Sequence, residues 1–203
     1  MAEMRNLLPD PWPNSASGWV RTGSADDFEF RMTQTGTDYY LKNLAGTSNC
    51  FVSRSFPDMP AGEYVLGAYI YDFSHVDVAG NVIVQAKCGA NYLGFVRARE
   101  HAGAYVAAEF TTTANGLTVI IQPPAGVNRS TRLRYLTLMS QKDWDTMRNL
   151  KNDDGTAANI RWFAPPKSAA AGVMSTPALD RGGGALLVLL AIIHTLMWRW
   201  QHD

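Results

Sequence analysis

Charged side chains are scarce in this chain of 203 residues. Only 18% of the residues are Asp, Glu, Lys or Arg, and the formal net charge is zero, whereas an average globular protein has about 25% charged residues. Domains that bind nucleic acid normally present a basic face, so the neutral balance argues against a nucleic-acid partner. Low net charge also gives little solubility. Two interpretations stay open: a protein that works in an assembly or against another surface, and a weakly charged soluble monomer.

Cysteine is equally scarce, with Cys50 and Cys88 as the two cysteines of the sequence. Two cysteines are too few for a disulfide framework or a thiolate metal cluster, and neither belongs to a CxxC pattern. A disulfide between them requires that their strands be neighbours, and we predict two buried free thiols instead. The N-terminal residues contain no apolar stretch of the kind found in signal peptides. We therefore expect no secretion signal.

Motifs for catalysis are also missing. The sequence contains no GxSxG, no HExxH and no glycine-rich phosphate loop. Asp72, His75 and Asp77 lie close together, but the members of a catalytic triad normally come from separated segments, so a polar hairpin loop is the favoured interpretation. No two carboxylates stand out as a glycosidase pair. We predict a protein that is not an enzyme and that uses no cofactor and no metal ion.

The sequence does contain many short strand-like segments separated by turn residues such as Pro60-Ala61-Gly62 and Asn115-Gly116. No long stretch among them has helical periodicity. The pattern predicts an all-β fold, a sandwich or a barrel, and argues against a βαβ fold. The predicted strands are 28–33, 38–44, 49–56, 63–73, 81–87, 92–99, 104–112, 117–122 and 132–139.

Alternation within the strands predicts which side chains form the core. The predicted core faces consist of Tyr64, Leu66, Ala68 and Ile70; Val82, Val84 and Ala86; and Leu117, Val119 and Ile121. Aromatic rings on the opposite faces are candidates for stacking on sugars, because each presents a flat apolar surface at little entropy cost. Burial of these rings under a loop, a second sheet or another subunit is the alternative. The candidate sugar-binding residues are Tyr69, Tyr71, Tyr92 and Arg97, with Phe95 and Tyr105 on nearby strands.

The chain changes character after residue 140. Residues 1–140 form the predicted sandwich, and 141–163 form an extension with a short helix over 143–150 and a short strand over 160–163. Ser140-Gln141-Lys142-Asp143 is the predicted cap of the helix, and Trp144, Met147 and Leu150 form its predicted apolar stripe. Residues 164–184 are rich in Ala, Pro, Ser and Gly and predict a linker. Residues 185–203 predict an apolar C-terminal helix.

An apolar helix over 185–200 must be buried against lipid or protein, because an apolar surface of this size is not stable in water. It is short for a bilayer, yet Arg181 and Trp198-Arg199-Trp200 resemble interfacial anchors of a membrane helix. Alternating spacings of three and four favour instead a helical seam that makes the chain a homo-oligomer or seats it in a protein socket. Both hypotheses stay open. The seam consists of Leu186, Leu189, Ile193, Leu196 and Trp200.

Several segments of residues 6–140 match the pattern of a known family. They are Asn6-Leu7-Leu8 with Ser17-Gly18-Trp19-Val20, 60–69, 110–112, 117–121 and the strand around Leu136 and Leu138. In these segments the chain resembles the jelly-roll carbohydrate-binding modules that are appended to xylanases and related glycanases. The resemblance implies a jelly-roll β-sandwich that binds a polysaccharide. The chain has Pro9-Asp10-Pro11-Trp12-Pro13 where the family usually has Phe-Glu, so the family's structural calcium site is not carried over.

With the segments 141–145 and 160–163 added, the chain also resembles small minor structural proteins of tailed phages and prophages of actinobacteria. This resemblance implies a tail or capsid-decoration protein with other virion proteins and host cell-surface polysaccharide as partners. Our leading hypothesis from the sequence is a phage virion protein, attached or oligomerised through its C-terminal region. The alternative is a carbohydrate-binding module anchored to a cell envelope.

Overall fold

The part of the chain that the structure describes forms two five-stranded antiparallel sheets, a two-stranded sheet and one short helix, α1 (Gln141–Arg148). This computed structural model describes residues 4, 6–8, 19–33, 38–47, 49–72, 78–99, 103–158, 160–163 and 177–179. The strands are β1 (Val20–Thr22), β2 (Phe28–Met32), β3 (Tyr39–Asn43), β4 (Phe51–Phe56), β5 (Gly62–Asp72), β6 (Val82–Cys88), β7 (Asn91–Arg97), β8 (Ala104–Thr112), β9 (Leu117–Ile121), β10 (Ser130–Ser140), β11 (Ile160–Phe163) and β12 (Pro177–Leu179).

The strand order is that of a jelly-roll sandwich. The first sheet has the order β1-β4-β9-β6-β7, and the second sheet has the order β2-β3-β10-β5-β8. From β3 to β10 the chain crosses repeatedly from one sheet to the other, so neighbouring strands within a sheet are distant in sequence, apart from the consecutive pairs β2-β3 and β6-β7. The predicted all-β sandwich is confirmed.

The core lies between the two sheets and consists of the side chains that the alternation predicts, with one difference. Tyr64, Leu66, Ala68 and Ile70 of β5 are buried, as are Leu117, Val119 and Ile121 of β9. In β6, Val84 and Ala86 are buried as predicted, but Ile83 is fully buried and Val82 is half-buried. The reason is a register shift: Val82 pairs with Arg97 and Val84 with Val96, so β6 has an extra residue here and the alternation breaks.

Helix α1 packs on the outer face of the second sheet. It begins two residues before the predicted start, because the Ser140 hydroxyl accepts a hydrogen bond from the Asp143 backbone N–H at 3.1 Å and caps the helix. Trp144 and Met147 are buried as the helical stripe predicts, in a small apolar cluster that includes Val65. The helix therefore covers one end of this sheet face.

Both cysteines are buried free thiols, as predicted. The predicted strand over 160–163 is present as β11, and it pairs with β12, which lies inside the segment predicted as a linker. Residues 185–203, with the predicted helix and its seam, lie outside the described residues. In the part of the chain that the structure describes, no helix is long and apolar enough to span a bilayer.

Candidate functional site

Two aromatic side chains of one edge strand are exposed on the outer face of the first sheet. Tyr92 is 48% exposed and Phe95 is 41% exposed, and both belong to the edge strand β7. Three positions separate them, so regular alternation would place them on opposite faces of the strand. A local irregularity must therefore turn one of the rings.

That irregularity is a β-bulge at Gly94. Ala86 of β6 pairs with Leu93, whereas Val84 pairs with Val96, so β7 has one residue more than its partner over this stretch. Gly94 has a φ of 56°, and a Cβ atom on it would lie 2.5 Å from Cδ1 of the buried Phe110. Glycine alone combines this left-handed backbone with the close approach to the core. The bulge consequently brings Phe95 to the same outer face as Tyr92.

One cationic side chain lies over each ring. The Lys87 ammonium lies 5.3 Å from the centroid of the Tyr92 ring, because Lys87 and Tyr92 are directly paired in neighbouring strands. The Arg97 guanidinium lies 5.6 Å from the centroid of the Phe95 ring, and its Nη1 donates a hydrogen bond to the Gly80 carbonyl at 2.9 Å. This hydrogen bond fixes the direction of the guanidinium next to the ring.

Hydrogen-bonding groups extend the same face toward β9 and β4. The Gln85 amide donates to Gln122 Oε1 at 3.0 Å, and the hydroxyls of Ser55 and Thr118 are 3.1 Å apart. The face therefore combines two flat apolar rings with amide, hydroxyl and cationic groups. A few polar groups placed around apolar rings are typical of small-molecule and saccharide sites.

The outer face of the second sheet carries a different aromatic cluster, which we call the tyrosine cluster: Tyr69, Tyr71 and Tyr135 around Arg134. The Arg134 guanidinium carbon lies 5.0, 4.7 and 4.7 Å from the centroids of Tyr69, Tyr71 and Tyr135. The Tyr69 hydroxyl donates to the Gly103 carbonyl at 2.9 Å, and a Cβ on Gly103 would lie 2.7 Å from atoms of both Tyr69 and Tyr71. Arg134 and the chain at Gly103 thus cover these rings, and all three are half-buried.

A second bulge, in β10, builds the tyrosine cluster. Arg134 pairs with Tyr69 and Thr137 with Gly67, so β10 has an extra residue here. Tyr135 has a φ of 55°. A non-glycine residue in this region costs about 1–2 kcal/mol, and contacts with Arg134 and Tyr69 offset that cost. The cluster is a packed arrangement whose rings already have partners within the chain.

The four candidate sugar-binding residues do not lie together. Tyr69 and Tyr71 belong to the second sheet, whereas Tyr92 and Arg97 belong to the first, because β5 and β7 are in different sheets. Tyr105, predicted to join Tyr69 and Tyr71 from a nearby strand, lies on β8 directly opposite Tyr69 and stacks on Trp144 with centroids 6.2 Å apart. Phe95 carries the same prediction, but it lies on β7 of the first sheet, away from Tyr69 and Tyr71.

The predicted polar loop around His75 lies at 73–77, outside the described residues. Among the residues that the structure does describe, no three His, Cys, Asp or Glu side chains are grouped as a metal site requires.

Comparisons with known proteins give structural matches only. No family model matches the chain, and no curated protein does. The xylan-binding domain CBM22-1 of Paenibacillus barcinonensis Xyn10C is similar with a TM-score of 0.50 and 9% identity, over 68% of this chain and 97% of that domain. At this identity the match shows the fold alone.

Two larger proteins contain a similar fold in part. Arabinose-bound α-L-arabinofuranosidase MgGH51 matches with a TM-score of 0.48 and 12% identity, over 68% of this chain and 26% of that one. Tailspike protein 4 of bacteriophage CBA120 matches with a TM-score of 0.46 and 8% identity, over 68% of this chain and 21% of that one. The chain thus spans about a quarter of each protein's length.

Proposed function

We propose that this protein is a non-catalytic carbohydrate-binding module and that its ligand lies across the outer face of the first sheet. The observation that carries the proposal is the bulge at Gly94, which brings the exposed rings of Tyr92 and Phe95 to one face. Sugar rings have flat apolar sides that stack on such rings, and the surrounding amides and hydroxyls can bind sugar hydroxyls. The likeness of fold to a xylan-binding domain supports this assignment.

The composition of the same sheet supports binding without hydrolysis. Its five strands contain no Asp and no Glu. Glycoside hydrolysis normally needs two carboxyl groups on either side of the scissile bond, one as general acid and one as nucleophile or base. We assign no catalytic residue.

The tyrosine cluster is the weaker candidate for the binding face. Tyr69 and Tyr71 are half-buried, and the guanidinium of Arg134 lies over both rings. A sugar that stacked on these rings would have to displace Arg134 and thereby lose two cation–π contacts. On the first sheet one cation lies over each ring at a longer distance, 5.3 Å for Lys87 and Tyr92 and 5.6 Å for Arg97 and Phe95, and the two rings are 48% and 41% exposed.

Affinity electrophoresis in gels that contain single polysaccharides tests the proposal. A polysaccharide that retards the parent protein identifies a ligand, and Tyr92→Ala and Phe95→Ala should each weaken its binding roughly tenfold, equivalent to about 1.4 kcal/mol of stacking. Val127→Ala is the control, because this side chain is 61% exposed and lies in the loop before β10, outside the proposed face. Unchanged binding in both ring variants, combined with loss in folded Tyr71→Ala, would move the site to the tyrosine cluster.

We further propose that the module belongs to a phage virion, where other virion proteins and further copies of this chain are its partners. The support is the resemblance of 141–145 and 160–163 to minor structural proteins of phages, together with the low charge. The alternative location is a cell envelope, with 185–200 as an anchor. Mass spectrometry of purified particles separates the two, because recovery in the membrane fraction and absence from particles would contradict the virion location.

A further inference from the structure

Although the net charge of the chain is zero, the strands of the two sheets differ in their balance of basic and acidic residues. The strands of the first sheet contain four basic residues and no acidic residue, whereas those of the second contain four of each. The basic residues of the first sheet are Arg21, Arg54, Lys87 and Arg97. The charged residues of the second sheet are Glu29, Arg31, Lys42, Glu63, Asp72, Glu109, Arg132 and Arg134. An unbalanced sheet attracts anions, and a balanced one does not.

Two of the four basic residues lie on the face with the exposed rings. Arg21 is engaged elsewhere, since its Nη1 donates to the Phe28 carbonyl at 3.1 Å and its guanidinium lies 4.4 Å from the Phe28 ring centroid. Arg54 is directly paired with Val119, whose side chain points into the core, so Arg54 is not part of the outer face. The cations at the site are therefore Lys87 and Arg97.

Neither cation is neutralised by a carboxylate of the described residues. The ion pairs there are Arg31 with Glu29 and Arg148 with Glu109, both away from the first sheet. Arg97 uses Nη1 to bind the Gly80 carbonyl. A guanidinium has five N–H donors, so this bond orients Arg97 and leaves donors for a ligand. The arrangement presents an oriented guanidinium and an ammonium beside two stacking rings.

We propose that the glycan bound on this face is anionic and that Arg97 and Lys87 bind its carboxylate, phosphate or sulfate groups; this inference rests on the proposed sugar-binding function. A guanidinium matches the two oxygens of a carboxylate or phosphate with two parallel N–H donors, and such charge-assisted bonds are stronger than neutral ones. A neutral glycan would partly desolvate both cations without giving either an opposite charge, which is unfavourable.

Matched pairs of polysaccharides test the inference with the full chain. Polygalacturonate is compared with its methyl ester, and dextran sulfate with dextran, so that the backbone stays the same while the charge is removed. Neutral xylan and β-glucan complete the panel. We expect retention of an acidic member at least tenfold stronger than that of its neutral form, with a decrease as NaCl is added. The carboxylate and sulfate arms identify which anion is bound.

Variants assign the effect to the site. Arg97→Gln and Lys87→Gln should each weaken binding of the acidic member roughly fivefold to tenfold and leave its neutral form unchanged, whereas Arg97→Lys should restore part of the binding. Arg31→Gln is the matched control, because it removes the same charge from the second sheet. Tyr92→Ala should weaken binding of charged and neutral forms alike, since it removes stacking.

The outcomes separate the inference from the proposed function. Equal binding of charged and neutral forms through Tyr92 and Phe95 would overturn the inference and leave the sugar site in place. Binding to no member of the panel would overturn both. Equal losses in Arg97→Gln and Arg31→Gln, or duplex DNA retained as strongly as the acidic glycan, would show general attraction of polyanions and would also overturn the inference.

Discussion

Asn6 connects the N-terminal segment to the part of β10 that lies beyond its pairing with β3. Strand β3 pairs with β10 only from Ser130 to Leu133, so the backbone groups farther along this edge need other partners. The Asn6 side chain, which is 5% exposed, provides them: its Oδ1 accepts from the Leu138 N–H at 3.0 Å, and its Nδ2 donates to the Leu136 carbonyl at 3.1 Å. Oδ1 also accepts from the Leu8 N–H at 3.2 Å.

Replacement of Asn6 by Ala removes these three hydrogen bonds, and with them the side-chain acceptor of the Leu138 N–H and the side-chain donor to the Leu136 carbonyl. An unsatisfied buried polar group costs about 1–3 kcal/mol, and local rearrangement around the new side chain makes the total loss smaller than the sum of the separate costs. We therefore expect the variant to lose about 2–4 kcal/mol of unfolding free energy. This is a large share of the roughly 5–15 kcal/mol that a domain has. The transition should therefore move to much lower urea concentration.

Urea unfolding followed by tryptophan fluorescence measures this loss directly. Asn91→Ala is the control, because Asn91 is exposed at the start of β7 and surface substitutions usually change stability by less than about 0.5 kcal/mol. A midpoint for Asn6→Ala equal to that of Asn91→Ala, with an unchanged m value, would refute the reasoning. It would mean that the N-terminal segment contributes nothing to the sandwich.

Two further predictions concern backbone strain and a single carboxyl group. Gly94→Ala and Gly89→Ala both place an L-residue at nearly the same φ, 56° and 58°, but only Gly94→Ala brings a Cβ atom against Phe110. Urea unfolding should show a loss of about 1 kcal/mol of unfolding free energy for Gly89→Ala and about 1–3 kcal/mol more for Gly94→Ala. Equal losses in the two variants would contradict the steric explanation. Hydrogen bonds from the Thr156 hydroxyl and backbone N–H lower the pKa of Asp154 below its ordinary value. Any stabilisation of the fold by the ionised carboxylate is therefore present above the unfolded-state pKa and is lost as pH falls through the lower, folded-state pKa. Thr156→Ala should raise the pKa of Asp154 in an NMR titration, and an unmoved pKa would exclude the hydroxyl as the main cause.

Local sequence predicted those parts of the fold that depend on local rules. The alternation in 63–73 placed Tyr64, Leu66, Ala68 and Ile70 in the core, because a strand with one buried face must alternate. Ser140 followed by Asp143 and the stripe of Trp144 and Met147 predicted α1, because capping and helical spacing act within a few residues. Alternation failed at Val82 and Ile83, where a register shift depends on the partner strand.

The candidate site was predicted only in part, because it depends on which sheet each strand joins. Two pairs of residues look equivalent in the sequence: Tyr69 with Tyr71, and Tyr92 with Arg97. Each pair is close to turn residues and lies on the strand face opposite an apolar one. The strand order separates them, and that order is set by pairings between distant segments, such as β5 with β10. One local signal could have singled out Phe95: a glycine inside a strand, such as Gly94, often marks a bulge.

The bulges at Tyr135 and Gly94 have opposite effects on the rings beside them. At Tyr135 the chain carries a strained backbone, and the result is a closed cluster in which every ring contacts Arg134. At Gly94 glycine avoids the strain, and the result is an open face. Full burial of one aromatic ring stabilises the folded state by about 1.5–3 kcal/mol. Tyr92 and Phe95 are about half exposed, so these two rings contribute less folding free energy than the buried rings of the same fold. Exposed apolar area that is arranged by a dedicated backbone feature is best explained by a ligand that covers it.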